Sequence, residues 1–109
     1  MAYDEGLAQR LRELFADRSD VTEKKMFGGI AYMLRGNMVC GILGDTLMAR
    51  VGPEQYLSAL KNPHTHDRAG KMRPMKGFVY IDAAGIESDK ALKDWVKLCE
   101  KFVSTLPAK

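Results

Sequence analysis

The side chains with the widest chemical reach in this 109-residue chain are two histidines and two cysteines. His64-x-His66-Asp67 is the one cluster rich in metal-ligating atoms. A structural zinc site takes four ligands in a tetrahedron, and neither Cys40 nor Cys99 stands near the pair in sequence. A solvated loop explains the same residues more simply. Cys40 becomes a nucleophile only beside a base that draws off its proton. Set between Val39 and Gly41 in an apolar run, it reads as a packed thiol, and Cys99 reads as core on a helix face. No serine has a nucleophile elbow around it. The sequence therefore predicts no catalytic residue, no metal and no cofactor. A small enzyme or metal protein using His64, His66 and Cys40 is the weakest of three readings.

A second reading rests on charge. Met1 to Glu23 holds three arginines against six acids, a net of −3, whereas Lys61, Arg68, Lys71, Arg73 and Lys76 against Asp67 give +4. An anionic partner such as nucleic acid would meet that second segment through lysine–phosphate and arginine–phosphate contacts. Phe78 and Tyr80 are the nearby aromatics for base stacking. The plain alternative is a basic loop that binds nothing.

The third reading starts from Lys24-Lys25-Met26-Phe27-Gly28-Gly29-Ile30-Ala31-Tyr32-Met33-Leu34, the longest apolar run, broken by adjacent glycines. Gly28 and Gly29 lack the lysine and hydroxyl of a P-loop and the third glycine of a dinucleotide fingerprint. A bulge or sharp strand bend, where a helix or a neighbouring backbone packs closely, fits them better. Lys24 and Lys25 read as edge charges that discourage strand pairing. Met26, Met33, Met38 and Met48 fall in the first three strands, on faces that alternation cannot all send to one core. Flexible thioethers suit adaptable apolar contacts, so these four are candidate interface residues for a protein partner or a homodimer.

The elements that must hold these groups follow from periodicity. Asp4 caps a first helix with Leu7, Leu11, Leu14 and Phe15 on one stripe, ending near Asp17 to Asp20. Lys25–Leu34, Met38–Leu43 and Thr46–Val51 read as three antiparallel strands joined at Arg35-Gly36-Asn37 and Gly44-Asp45. Gly52-Pro53 starts a short helix that Asn62-Pro63 stops. His64 to Pro74 is a basic loop with room for a short strand. Lys76–Asp82 is a further strand, and Ala83-Ala84-Gly85 a turn. Ser88 caps a last helix whose apolar face runs from Ala91 to Leu106.

The whole reads as one α+β domain over residues 1–109, an antiparallel sheet with helices in the order α-β-β-β-α-β(-β)-α. Hydrophobic residues at 46% and charged residues at 28% fit a globular chain, and the net charge of +3 is mild. The acidic start has no signal-peptide pattern, and no apolar stretch approaches membrane-helix length. With only two dispersed cysteines, a cytoplasmic protein with reduced thiols and no membrane partner is expected.

Lys25-Met26-Phe27-Gly28-Gly29, after a helix and before an aromatic-bearing strand, resembles the opening signature of the TfoX N-terminal domain family. The Gly36 turn, the Leu47-Met48-Ala49-Arg50-Val51 strand and the Trp95-bearing last helix sit where that family has its counterparts, over roughly Leu7 to Phe102. The resemblance implies a stand-alone domain with a curved antiparallel sheet, similar to secretion-chaperone folds. It also implies a link to regulators of natural competence, which act on gene expression, and it supplies no catalytic residue. The favoured expectation is a non-enzymatic regulatory or protein-interaction module.

Overall fold

Asp4 lies in extended backbone, and its carboxylate accepts from the amides of Gly6 (2.8 Å) and Leu7 (3.2 Å). Those bonds satisfy free donors of the first turn and start α1, Glu5–Leu14. The computed structural model describes residues 3–26, 28–68 and 74–108. Among them follow β1 (Val21–Met26), β2 (Gly29–Leu34), β3 (Asn37–Leu43), β4 (Thr46–Arg50) and α2 (Tyr56–Leu60). Then come β5 (Thr65–His66), β6 (Phe78–Ile81), a 3-10 turn (Ala83–Ile86) and α3 (Asp89–Val103).

The strands form a six-stranded antiparallel sheet in the order β1-β2-β3-β4-β6-β5. Class and order are as the sequence predicts. Two boundaries differ: α2 begins at Tyr56 rather than at Gly52-Pro53, and the first expected strand divides in two. The run expected as a single strand over Lys25–Leu34 folds back on itself, and Met26 faces Gly29 across a hairpin. Gly28 has φ +75, a left-handed conformation that stops a strand rather than bending one, so the chain reverses there and β1 begins earlier, at Val21. The neighbouring β2–β3 hairpin turns on Arg35 (φ 50) and Gly36 (φ 86), the paired positive angles of a turn that matches strand twist. The bulge expected at the glycines instead falls in β3, where Val39 is an extra residue between the Tyr32–Cys40 and Met33–Met38 pairs.

Strand alternation sends Ile30, Tyr32, Leu34, Ile42, Leu47, Ala49, Val79 and Ile81 to one face, where they meet Leu7, Leu11 and Phe15 of α1 and Leu92, Val96, Cys99 and Val103 of α3. Each such large buried side chain contributes about 1.5–3 kcal/mol. Ala59 of α2 and Ile86 join the same core. Two buried polar groups pin this layer. The Tyr32 hydroxyl donates to the Ala8 carbonyl at 3.2 Å, and Asn37 donates to the Pro107 carbonyl at 2.8 Å. Among the described residues no helix is long and apolar enough to cross a membrane.

Candidate functional site

The face turned away from this core is read off the register. Lys24, Ala31, Gly41, Met48, Tyr80 and His66 form one continuous row across all six strands. Gly41 makes a gap in that row which methionines fill. The Cε atoms of Met38 and Met48 lie 3.0 and 3.4 Å from where a β-carbon on Gly41 would stand. Met48 is only 3% exposed, whereas Met33 and Met38 are half-buried. Ala31, Met48 and Tyr80 are buried yet lie outside the core cluster that the helices share. Met33, Met38 and Met48, three of the four methionines singled out in the sequence, thus lie on one face of the sheet, with Met48 buried. Phe27 and the side chain of Met26 lie outside the described residues.

At one border of this face Arg50 reaches over the rings of Phe78 and Phe102, 5.5 and 5.7 Å from their centroids. At the other, Lys24 and Lys25 stand exposed on β1, the sheet edge, where expected.

The histidines form a different arrangement from the one their spacing suggests. Their carboxylate is Asp82, not Asp67. His64 Nδ1 lies 3.3 Å from Asp82 Oδ1, and His66 Nε2 lies 3.2 Å from Oδ2. Asp82 also accepts from the Gly85 amide at 3.2 Å, starting the 3-10 turn. The His66 bond, with the Gly85 amide and both imidazoles, holds the Asp82 carboxyl below the usual range. Asp67 sits beside Arg68 at 3.9 Å. Pairing of β5 with β6 creates the clamp, which spacing along the chain could not reveal; Asp82-x-x-Gly85 as a turn cap was its one readable sign. Among the described residues no three histidine, cysteine or carboxylate groups are arranged to hold a metal ion.

Cys40 is fully buried far from this clamp in the core layer, and burial pushes its thiol well above the usual range. Burial likewise pushes the Cys99 thiol up to about 12. Neither is a ready nucleophile, and both are unbridged. Lys61, Arg68 and Lys76 are exposed, while Lys71 and Arg73 lie outside the described residues. A depression of about 260 Å³ between Pro53–Gln55 and α3 has Val51, Leu98 and Phe102 in its wall, with Glu54 and Lys101 among its charged residues.

A family model for the TfoX N-terminal domain matches residues 13–103. The chain belongs to the TfoX N-terminal domain family. Neither the curated proteins nor the solved structures provide a match.

In this TfoX N-terminal domain the signature glycines divide two tasks. Gly28 makes the turn. Gly29 opens β2, where a β-carbon would stand 2.1 Å from the Ile42 carbonyl oxygen, so close approach of the β3 backbone requires glycine. Of the two close neighbours expected there, a helix or a backbone, the neighbour is the β3 backbone.

Proposed function

We propose that this TfoX N-terminal domain is a non-enzymatic regulatory module that works by protein contact, and that it self-associates through the sheet face bearing Met33, Met38 and Met48. The observation that supports this reading is the arrangement of that face: on the side opposite the core that the helices share, the thioethers of half-buried Met38 and buried Met48 meet over Gly41, and half-buried Met33 pairs with Met38 across the strands. Such side chains change rotamer at low cost and can repack against a second apolar surface. Lengthening the sheet by strand addition at β1 is the less favourable mode, because Lys24 and Lys25 guard that edge. The groups best suited to catalysis have structural duties instead: thiols in the core, imidazoles on Asp82. The link to gene regulation follows from the family's association with competence regulators.

Sedimentation velocity across micromolar concentrations tests the proposal. The wild-type chain is expected to show a concentration-dependent rise in sedimentation coefficient, and Met33→Lys with Met38→Lys is expected to hold it monomeric with an unchanged circular dichroism spectrum. A wild-type chain that stays monomeric throughout, or a variant that associates equally well, contradicts the reading.

A further inference from the structure

The outer face of α3 carries Lys90, Lys93, Lys97 and Lys101, all exposed. Each carboxylate on that helix already has another cation. Arg10 lies 3.4 Å from Asp89, Lys90 lies 2.9 Å from Asp94, and Arg18 bonds Glu100. Two of those cations come from outside the helix, one from α1 and one from the loop after it. Lys93, Lys97 and Lys101 are left without a carboxylate partner among the described residues.

Their spacing of four residues places them along one slowly winding line, about 12 Å long at 1.5 Å per residue. The opposite side of the helix is locked into the core by Leu92, Val96, Cys99 and Val103. Three positive charges are therefore carried on a rigid rod. A lysine on a helix can be balanced by an acid three or four positions away. Here Arg10 and Arg18 occupy two of the acids that would do so, and the balance is removed.

We infer that α3 is a docking face for the phosphate backbone of double-stranded nucleic acid. A duplex backbone is a line of fixed anions, and a line of lysines complements it while releasing condensed counterions. Ammonium groups on phosphates fix position without reading bases, so binding is independent of sequence. This surface lies on the helical side of the molecule, away from the methionine face, and does not depend on self-association.

Fluorescence anisotropy of a short labelled DNA duplex, titrated with the full chain over a range of salt concentrations, tests the inference. The wild type is expected to bind at low salt with affinity falling steeply as salt rises. K93Q/K97Q/K101Q should lower affinity by about tenfold or more and reduce the slope of log affinity against log salt by about 2–3, roughly one per lost phosphate contact. K24Q/K25Q, on the far sheet edge, should leave the slope unchanged. Circular dichroism of the triple variant checks that these surface changes keep the fold. Absence of duplex binding at low salt, an unchanged slope in the triple variant, or an equal loss in K24Q/K25Q overturns the inference. So does binding to phosphatidylserine vesicles without binding to duplex.

Discussion

A single β-carbon separates the two signature glycines. At Gly28 it would meet nothing within 4 Å, and the only cost is a side chain at φ +75. Gly28→Ala is expected to destabilise by about 1–2 kcal/mol, the ordinary penalty of the left-handed region. At Gly29 the same atom would strike the Ile42 carbonyl, a backbone group that cannot turn aside, so β2 and β3 must part. Gly29→Ala should cost about 3 kcal/mol or more, at the upper end of overpacking. Urea unfolding of both variants measures the difference, and equal costs would contradict the division of roles. The cysteines also make a residue-scale prediction. Their folded pKa values lie above the free-thiol value of about 8.5, so above that pH the unfolded chain ionises while the native state keeps the thiols neutral. Their contribution to stability is complete below about pH 8.5 and is lost as pH rises toward the Cys99 value of about 12. Denaturation midpoints should fall over that window more steeply in the wild type than in a Cys40→Ala, Cys99→Ala variant, at midpoints compared from pH 8 upward.

The elements most legible in the sequence were those whose signals are local. The Asp4 and Ser88 caps, with their apolar stripes, marked α1 and α3. The Arg35-Gly36 and Gly44-Asp45 turns marked the boundaries of β3 and β4. The hairpin at Gly28 was missed because Met26, Ile30 and Tyr32 continue one apolar run, and the reversal depends on a positive φ that either glycine could have adopted. The two-residue strand β5 and its clamp were hidden for a different reason: pairing with β6 joins residues on either side of the basic loop. The clamp makes β5 an element whose persistence depends on one carboxylate. Asp82→Asn should speed hydrogen exchange at the Thr65 and Phe78–Ile81 amides while leaving those of β2 and β3 slow. Because the Asp82 carboxyl is held below its ordinary value, its support is present above about pH 4 and is lost as pH falls through the lowered value. Exchange at β5 in the wild type should therefore rise under acid conditions, relative to the intrinsic rate, and approach that of the variant. Equal protection in both at neutral pH would contradict the clamp.

Across the whole molecule the two sides of the sheet have been put to different uses. One side holds the helices and nearly all of the large apolar side chains. The other carries Met33, Met38 and Met48, the small residues Ala31 and Gly41, and the edge residue Lys24. Strand alternation made this division readable in outline, since four methionines could not all face one core. It could not show that Met38 and Met48 converge over Gly41, which depends on the β3–β4 register and on the bulge at Val39. The basic segment posed the reverse problem. Its charges are conspicuous along the chain, but the uncompensated line on α3 emerges only once Arg10 and Arg18 are seen to hold Asp89 and Glu100. Methyl NMR on chain labelled at methionine Cε tests whether the methionine face is where two copies meet. The Met33 and Met38 signals should shift or broaden as concentration rises, while that of Met75, exposed before β6, stays fixed. Methyl signals at Met33 and Met38 that do not change with concentration, or a change confined to Met75, would contradict the account.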